Sequence, residues 1–295
     1  MASVGGFSMK DKVAVVTGAG SGINFCFAQI AVRQGARVIV ADLKLTEGAE
    51  KFLKDEGAKS AIFVKCDVTK RADLENLITI SEKEFGDVPD VYIAGAGIFE
   101  PAWSNFWDDT EDDRYAEVDI NVTHPMKLAR IAIKSLLRKN KKGVFLIVSS
   151  LAGFQGTFSA PLYCATKHAV IGFVRSMAQL DELEGIKVVA VAPGIVRTPM
   201  WLDDPAKMAQ FGYSDENSIT PERVADDMYS LVTEEKYPGG TCLQCSVSGV
   251  KTLGTWNIAP PASAGTTVPP EVLERNNAPM REIMKKERGV LTNNK

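Results

Sequence analysis

Residues 12–24, KVAVVTGAGSGIN, decide the fold that this chain of 295 residues is predicted to adopt. Lys12–Thr17 is an apolar run of strand length, and Gly22–Gln34 follows with helical period. A glycine-rich turn between a strand and a helix leaves backbone N–H groups and the positive end of the helix facing outward, ready to receive a phosphate. Glycine is needed there because a β-carbon would block the approach of the phosphate. The stretch therefore predicts a phosphate-binding βα unit.

Strand-like and helix-like segments continue to alternate from this unit to about Val250. The further predicted strands are Arg37–Asp42, Ser60–Lys65, Val91–Ala94, Gly143–Ser149, Lys187–Val191 and Thr241–Val247. The further predicted helices are Thr46–Glu56, Lys70–Phe85, Val118–Leu137, Tyr163–Leu183 and Pro221–Val232. Strands that are apolar throughout are buried on both faces, which is typical of a parallel sheet covered by helices. We predict an α/β, single-domain, doubly wound Rossmann fold with a seven-stranded, mostly parallel sheet and helices on both faces.

The C-terminal part of the chain has a different composition. We expect residues 8–253 to form the dinucleotide-binding and catalytic domain, and residues 254–295 to be an extension. The first part of the extension contains Pro260, Pro261, Pro269 and Pro270, and a polar stretch of helical character follows near Glu271–Arg288. The extension is either an arm that covers a neighbour or the pocket, or a loose end.

Composition excludes several classes of function. The chain has 34 Lys plus Arg and 37 Asp plus Glu, so its net charge of −3 offers no basic face for nucleic acid. It contains no apolar run long enough to cross a bilayer and no apolar signal-peptide core, so we expect a cytoplasmic protein without a membrane partner. The odd number of cysteines argues against a disulfide framework. Cys242 and Cys245 form either a redox or metal pair or, as we favour, two small apolar positions on a strand, and we predict no metal site.

Two acidic residues end predicted strands beside the glycine-rich turn. Asp42 ends the second strand, where a carboxylate accepts hydrogen bonds from both ribose hydroxyls of NAD and repels the extra phosphate of NADP. Alternatively, Asp42 only caps its loop, and Lys44 weakens the charge argument. Asp67 ends the third strand and can meet the adenine edge. The position after the second strand favours ribose binding, so the predicted cofactor is NAD.

Tyr163 and Lys167 lie four residues apart on a predicted helix and therefore share one face. A free tyrosine has a pKa near ~10, too high for a base at neutral pH, and a neighbouring ammonium favours the phenolate. Lowering that pKa by about three units requires roughly 4 kcal/mol, which one close lysine plus a positive nicotinamide can supply in a site shielded from water. The pair predicts a general acid/base, although such pairs also occur on ordinary helix surfaces.

Other polar residues stand where they can assist this pair. Ser149 and Ser150 end the fifth predicted strand, at the edge where such sheets bind ligands, and either can hydrogen-bond a substrate oxygen or simply form a turn. Asn121 lies inside a predicted helix, where an amide is a mediocre helix former. It either holds a water in a proton relay or faces solvent. His124 and His168 have no matched partners, and we interpret both as structural.

The segments TGAGSGI, CDV, AGAGI, IVSSLAG, YCATK and PGIVRTP have the order and spacing of the short-chain dehydrogenase/reductase family, which the chain resembles from about Lys10 to Val250. The run from SSLAG to YCATKHAVIGFVRS is most similar to the hydroxyprostaglandin-dehydrogenase-like branch, which uses NAD. The resemblance implies Tyr163 as general acid/base, Lys167 as its activator, Ser150 as carbonyl binder and Asn121 as relay residue. It implies cofactor contacts at Gly18, Gly20, Ser21, Gly22, Ile23, Asp42, Asp67, Val68, Ala96, Gly97, Pro193, Gly194, Val196 and Thr198.

The chain departs from the family pattern at two places. The third glycine of the turn is Asn24, and the usual Asn-Asn-Ala-Gly after the fourth strand reads Ala94-Gly95-Ala96-Gly97. The first change is expected to displace the cofactor turn slightly. The second removes hydrogen bonds near the centre of the sheet. Both changes bear on cofactor affinity rather than on the catalytic residues.

The expected function is NAD-dependent interconversion of a secondary alcohol and a ketone, with oxidation as the hypothesised direction. Loops rich in aromatic residues predict a bulky apolar substrate, although about half of these residues are expected only to pin the loops; they are Phe99, Trp103, Phe106, Trp107, Trp201, Phe211 and Tyr213, with Phe154 and Phe158 between Ser150 and Tyr163. The alternatives are a non-redox dehydratase or epimerase on the same scaffold, or a silent NAD-binding protein. The family also implies a homodimer or homotetramer, for which Ala165, Ala169 and Gly172 suit close helix packing unless they face the sheet.

Overall fold

The computed structural model describes residues 3–255, 278 and 281–289. Its strands are β1 (Val13–Thr17), β2 (Arg37–Asp42), β3 (Ala61–Lys65), β4 (Val91–Ala94), β5 (Gly143–Val148), β6 (Ile186–Pro193), β7 (Ile195–Val196), β8 (Ser218–Ile219), β9 (Cys242–Ser246) and β10 (Gly249–Thr252). Its helices are α1 (Gly22–Arg33), α2 (Glu47–Lys54), α3 (Arg71–Phe85), α4 (Ala116–Val118), α5 (His124–Arg138), α6 (Pro161–Ser176), α7 (Gln179–Glu184), α8 (Pro199–Leu202), α9 (Pro205–Gln210) and α10 (Pro221–Thr233). A π-helical turn, Asp119–Thr123, joins α4 to α5.

The strands form a doubly wound sheet, as the alternating pattern predicts. The order is β10-β9-β6-β5-β4-β1-β2-β3, and every neighbouring pair is parallel except β9 and β10. The chain runs outward from β1 in one direction to β3 and then returns to β4 on the other side of β1. In open α/β sheets, ligands bind at the carboxyl edge where the strand order reverses. A ligand site is therefore expected at the edge that follows β1 and β4.

Alternating strand residues supply two hydrophobic cores, one on each face of the sheet. Val16 and Val40 lie in the core that α1 and α10 cover, whereas Val15 and Ile39 lie in the core covered by α3, α5 and α6. All four side chains are at most 1% exposed. Complete burial on both faces explains why these strands read as continuous apolar runs.

The predicted count of seven strands in the sheet is wrong by one. The eighth strand, β10, turns back after β9 and pairs with it in antiparallel register, with Val250 opposite Cys245. It lies at the edge and is largely exposed, so it has none of the continuous apolar character from which a buried strand is predicted. The predicted helix Tyr163–Leu183 is also divided, because α6 ends at Ser176 and α7 begins at Gln179. The small β7–β8 sheet and the short helices α8 and α9 were not predicted.

Part of the C-terminal extension contacts the body of the protein. Residues 281–287 are helical, Glu287 pairs with Arg130 of α5, and Met284 packs against the core beneath. The prolines at 260, 261, 269 and 270 and the first part of the stretch predicted to be helical lie outside the described residues. Every helix in the described part of the chain is too short or too polar to cross a bilayer.

Candidate active site

A cavity of about 980 Å³ opens at the carboxyl edge of the sheet. It runs from the glycine-rich turn after β1, past the ends of β4 and β5, to Tyr163 on α6 and Trp201 on α8. Its volume lies at the upper end of the range for ligand sites. The cavity is therefore where the motifs predicted to bind a nucleotide and to carry catalysis meet.

The glycine-rich turn leaves the N-terminus of α1 free to bind an anion. Ser21 occupies the N-cap position but accepts no hydrogen bond from the first turn of the helix through its side chain, and the first turn contains no acidic residue. Gly18 and Gly22 have φ values of 70° and 59°, which L side chains rarely adopt. A β-carbon on Gly18 would lie 2.6 Å from the Cα of Ala96, so the turn and the β4 loop touch backbone to backbone. Uncapped N–H groups at the end of a helix of this length fit the pyrophosphate of a dinucleotide.

All the residues predicted to contact a cofactor line the cavity except Gly20, which lies behind its wall. The Gly20 N–H donates to Asp42 over 2.8 Å, and a β-carbon on Gly20 would lie 2.0 Å from the carbonyl oxygen of Lys44. Gly20 therefore lets the turn pack against the end of β2. The other oxygen of Asp42 accepts from the N–H of Leu43 over 2.7 Å, so this carboxylate both caps its loop and faces the cavity.

Asp67 also faces the cavity, but its carboxylate is held by its own loop. Oδ1 accepts from the hydroxyl of Thr69 over 2.7 Å, and Lys70 lies 3.3 Å from Oδ2. These interactions, the Thr69 hydroxyl first, hold the pKa of Asp67 below its usual range. These contacts fix the loop in which Asp67 and the neighbouring Val68 line the cavity.

The two departures from the family pattern occupy the same space. The Asn24 amide donates to the carbonyl oxygens of Gly18, over 3.3 Å, and Gly95, over 2.9 Å, and so ties α1 to both loops. A β-carbon on Gly95 would lie 2.1 Å from Oδ1 of Asn24, so Gly95 has no room for a side chain while Asn24 is present. The asparagine lost from the β4 loop is thus offset by an asparagine on the helix. Oδ1 of Asn24 is buried and has no hydrogen-bond partner among the described residues, and Asn24 itself lines the cavity.

Tyr163, Lys167 and Ser150 come together on one wall of the cavity. The Nζ atom of Lys167 lies 5.3 Å from the centre of the Tyr163 ring and donates to the carbonyl oxygen of Val148 over 3.1 Å. Helix α6 has no side-chain cap of its own, and Glu100 replaces one by accepting from the N–H of Tyr163 over 2.9 Å. The end of β5, the start of α6 and the β4 loop together position these three side chains.

The electrostatics of this wall differ from the expectation that Lys167 makes Tyr163 acidic. Burial raises the pKa of Tyr163 well above its usual range, and the smaller effect of a hydrogen bond with Ser150 acts in the opposite direction. Burial also lowers the pKa of Lys167 to about 8, against a smaller effect of Glu117 that raises it. Lys167 therefore does not by itself offset the cost of a buried phenolate. The protein chain alone holds Tyr163 as a neutral phenol, which is the proton-donating form.

The structure distinguishes the two serines at the end of β5. Ser149 is 2% exposed and directs its hydroxyl to the carbonyl oxygen of Lys167 over 3.4 Å, so it links the strand to α6. Ser150 accepts from the N–H of Ala152 over 3.2 Å and interacts with Tyr163. Ser150 is therefore the serine that lies beside the phenol, at the position that the family resemblance implies.

Asn121 is buried behind the cavity rather than on its wall, which excludes the solvent-facing alternative. Its amide pairs with the backbone of Ile98, donating from Nδ2 over 2.9 Å and accepting at Oδ1 over 3.0 Å. A third contact joins Nδ2 to the hydroxyl of Thr166 over 3.3 Å. The π-helical turn that interrupts the predicted helix at Asn121 is of a kind frequent at functional sites.

Sequence reasoning missed three charged residues around this wall: Glu100, Glu117 and Lys207. Glu117 is fully buried four residues before Asn121, and burial raises the pKa of its carboxyl to about 8. Lys207 of α9 donates to the carbonyl oxygen of Phe99 over 2.6 Å and reaches the cavity. Glu117 could have been found from its spacing, because it lies one helical turn before Asn121 and therefore on the same buried face. No comparable signal marks Glu100 or Lys207, because each lies on an irregular loop or a short helix.

Aromatic residues line the part of the cavity beyond Tyr163. Phe99 packs against Tyr163, Trp201 and Phe211 with ring centres 4.6, 5.1 and 4.8 Å away. The cavity is lined by Phe99, Trp201, Phe211 and Trp103. The remaining aromatic candidates do not; they are Phe106, Trp107, Phe154, Phe158 and Tyr213. Phe106, Trp107 and Phe158 instead form an exposed cluster of their own.

The cysteines and histidines occupy structural positions. Cys242 belongs to the core on one face of the sheet and Cys245 to the core on the other, so the C-x-x-C spacing does not bring the two thiols together. His124 is enclosed between the Thr17 hydroxyl and the carbonyl oxygen of Ile120, each 3.1 Å from a ring nitrogen. Burial lowers the pKa of His124 to about 4, so the ring is neutral at neutral pH. His168 pairs with the carbonyl oxygen of Cys164 on its own helix.

Comparisons with known proteins identify the family of the chain. A family model described as short chain dehydrogenase matches residues 12–209. An uncharacterized oxidoreductase of Staphylococcus aureus is 30% identical over 232 residues, which cover 78% of this chain and 94% of that protein. Galactitol 2-dehydrogenase of Agrobacterium fabrum is 33% identical over 193 residues, or 65% of this chain and 73% of that protein. A solved short-chain type dehydrogenase/reductase from Mycobacterium marinum has a TM-score of 0.69 at 23% identity, covering 82% of this chain and 96% of its own, and this likeness concerns the fold alone.

Proposed function

The chain belongs to the short-chain dehydrogenase family, and on that premise we propose that it is an NAD-dependent oxidoreductase that interconverts a secondary alcohol and a ketone on a bulky apolar molecule. One observation carries the proposal. Tyr163, Lys167 and Ser150 lie on a single cavity wall, and that cavity continues without interruption to the uncapped N-terminus of α1. Hydride transfer between a cofactor and a substrate requires catalytic side chains and a dinucleotide-binding turn in the same cavity. The nearer resemblance to the hydroxyprostaglandin-dehydrogenase-like branch stays a prediction.

The choice of NAD over NADP rests on Asp42. Its carboxylate is fixed by the N–H groups of Gly20 and Leu43 and faces the cavity at the end of β2. A carboxylate held in that position can accept from ribose hydroxyls, and it repels a phosphate on the same ribose. Lys44 directs its backbone N–H to Asp42 over 3.3 Å, and its exposed side chain forms no ion pair with Asp42 among the described residues. The negative charge at the end of β2 therefore remains available to select the cofactor.

In the proposed mechanism, the chain's own residues bind the substrate oxygen and exchange one proton with it. Ser150 donates a hydrogen bond to that oxygen, and Tyr163 transfers the proton, as an acid in ketone reduction and as a base in alcohol oxidation. When bound, NAD supplies the hydride-accepting ring and a positive charge near the phenol. Lys167 adds its ammonium charge 5.3 Å from the centre of the Tyr163 ring, and Asn121 takes the relay role that the family resemblance implies. The raised pKa of Tyr163 in the chain alone favours the acid role, so the base role depends on the cofactor's charge.

The substrate class is inferred from the wall beyond Tyr163. Phe99, Trp201 and Phe211 form a continuous aromatic surface there, and Trp103 lines the mouth with its side chain 56% exposed. Such a surface gains most by burying a large apolar ring system or chain. We expect preference for lipid-like or polycyclic secondary alcohols over small polar polyols.

The proposed oligomer is a homodimer or homotetramer that uses α5 and α6. Ala165 and Gly172 are exposed on α6, and a β-carbon on Gly172 would meet nothing within 4 Å, so this face does not pack on the sheet. Small exposed residues allow a second helix to approach closely. Sedimentation or light scattering tests this proposal: Ala165→Arg lowers the measured mass to that of one chain, and an unchanged mass contradicts it.

A labelled cofactor tests the proposed reaction. The protein is incubated with NADH carrying deuterium at C4 and a panel of bulky apolar ketones, and the products are analysed by mass spectrometry. Deuterium on the carbinol carbon of a product is the expected result. Turnover without deuterium transfer would identify a non-redox enzyme, and tight binding of NAD without turnover on any ketone or alcohol would identify a silent binding protein.

A further inference from the structure

A buried carboxyl group lies directly behind the catalytic wall. Glu117 is 0% exposed, and its Oε1 accepts from the N–H of Glu100 over 3.1 Å and from Nδ2 of Asn121 over 3.4 Å. Its Oε2 is also buried and has no hydrogen-bond partner in the part of the chain that the structure describes. An ionised carboxylate in such a place is costly unless it is paired. The role of Glu117 therefore depends on its charge state and on which neighbouring group its charge acts on.

Four ionisable groups face Glu117 from the elements packed around it: Glu100 on the β4 loop, Tyr163 and Lys167 on α6, and Lys207 on α9. The two ammonium groups donate elsewhere, Lys167 to Val148 and Lys207 to Phe99. Neither forms an ion pair with Glu117 within the described ranges, so both act on it at longer distance. Burial is the largest effect and raises the pKa of Glu117 to about 8, with the charge of Glu100 acting in the same direction.

We propose that Glu117 is a positioning residue that acts through Asn121 and Lys167. Its side-chain Oε1 holds the Asn121 amide. Its charge governs how far into the alkaline range Lys167 keeps its proton. The proposal rests on the proposed function above for its catalytic meaning. At neutral pH the carboxyl is neutral and only its hydrogen bonds matter. As the pH rises and Glu117 loses its proton, the new negative charge stabilises the Lys167 ammonium. Without it, burial alone would discharge Lys167 at lower pH.

Glu117→Gln separates the charge from the hydrogen bonds. Glutamine keeps the carbonyl oxygen that accepts from Glu100 and Asn121, has nearly the same shape, and stays neutral at every pH. Glu182→Gln on α7 is the matched control because Glu182 is an exposed glutamate away from the cavity. Thermal unfolding of both variants verifies that they are folded before further measurement.

The direct readout is the titration of Lys167, which needs no turnover. The full chain is labelled with ¹³C at the lysine ε-carbons, and the Lys167 signal is assigned by its loss in Lys167→Met. We expect Lys167 in Glu117→Gln to lose its proton at a lower pH than in the parent. At the midpoint of its titration the proton concentration should be on the order of tenfold higher, which is the effect of removing one opposite charge nearby in a protein interior. The control should leave the midpoint unchanged. An identical midpoint in Glu117→Gln and the parent protein overturns the proposal.

The catalytic readout is the pH dependence of kcat. The ratio of kcat in Glu117→Gln to kcat in the parent is expected to fall about tenfold between pH ~6.5 and ~9.5, as Lys167 discharges early in the variant. A ratio that is constant with pH overturns the catalytic part, because a purely structural role would lower kcat equally at every pH. If no substrate is turned over at all, the proposed function fails, while the Lys167 titration still decides whether Glu117 governs its charge.

Discussion

Exchanging Asn24 and Gly95 tests whether the two departures from the family pattern compensate each other. The single changes are Asn24→Gly and Gly95→Asn, and the third protein carries both. Asn24→Gly removes the hydrogen bonds to Gly18 and Gly95, of 3.3 and 2.9 Å. Gly95→Asn places a β-carbon 2.1 Å from Oδ1 of Asn24. In the double variant the new asparagine can enter the space that the first one has left.

The magnitudes follow from these contacts. Two hydrogen bonds of about 1 kcal/mol each give a loss of about 2 kcal/mol for Asn24→Gly. Overpacking costs ~1–3 kcal/mol, so Gly95→Asn is also expected to lose about 2 kcal/mol, without backbone strain because φ at Gly95 is not in the left-handed region. Additive effects would total about 4 kcal/mol. We instead expect the double variant to lose about 1–2 kcal/mol, a coupling of at least ~2 kcal/mol between contacting residues.

Thermal unfolding and cofactor titration measure the coupling. With ~2–4 °C per kcal/mol for domains of this size, each single variant should unfold about 5 °C below the parent and the double variant only about 3 °C below it. The Kd for NAD, followed by fluorescence, should rank the proteins in the same order. Asn24→Gly combined with Gly48→Asn is the control, because a β-carbon on Gly48 meets nothing within 4 Å and the two effects should add. If the losses from Asn24→Gly and Gly95→Asn simply add, the two residues do not compensate each other.

Three further outcomes are expected. His124 has a folded-state pKa of about 4 against its ordinary 6.5, so its contribution to the free energy of unfolding is fully present above pH 6.5 and is lost as the pH falls to about 4, by about 3 kcal/mol in total. The free energy of unfolding in urea should therefore decline less steeply over this pH range in His124→Gln than in the parent. Equal slopes would contradict the assignment. Asp42→Ala should raise the Kd for NAD at least ~10-fold and narrow the preference over NADP, since hydrogen bonds to charged groups contribute ~1.5–3 kcal/mol; fluorescence titration with both cofactors decides, and unchanged selectivity would contradict it. Ser150→Ala should lower kcat by ~10²-fold, whereas Ser149→Ala should lower it far less, and the reverse ranking would show that the roles of the two serines are exchanged.

The alternation of buried strands and amphipathic helices made most of the fold predictable. Strands β2 and β4 have the predicted bounds, Arg37–Asp42 and Val91–Ala94, because burial on both faces leaves a continuous apolar run between polar ends. Edge strand β10 and the β7–β8 pair escaped prediction because they are short and partly exposed. The break between α6 and α7 at Met177 was not predicted because no glycine or proline marks it in the sequence.

The candidate site was predictable where a motif places side chains on one element or at strand ends. Tyr163 and Lys167 share a face of α6, and Ser150 follows β5, so their proximity follows from topology. The pKa of Tyr163 was not predictable, since it depends on how completely the surrounding loops bury the phenol. The compensation between Asn24 and Gly95 was also hidden, because residues 71 positions apart meet only in the folded chain.

Transfer of deuterium by Tyr163→Phe, compared with the parent protein, tests whether the Tyr163 hydroxyl exchanges the proton with the substrate oxygen. The substitution removes one hydroxyl from the wall of the cavity and leaves the aromatic ring packed against Phe99. With C4-deuterated NADH and a reactive ketone, we expect an unchanged Kd for NAD and a loss of at least ~10²-fold in the rate at which deuterium appears in the product. Deuterium transfer at the parent rate in Tyr163→Phe would contradict the account.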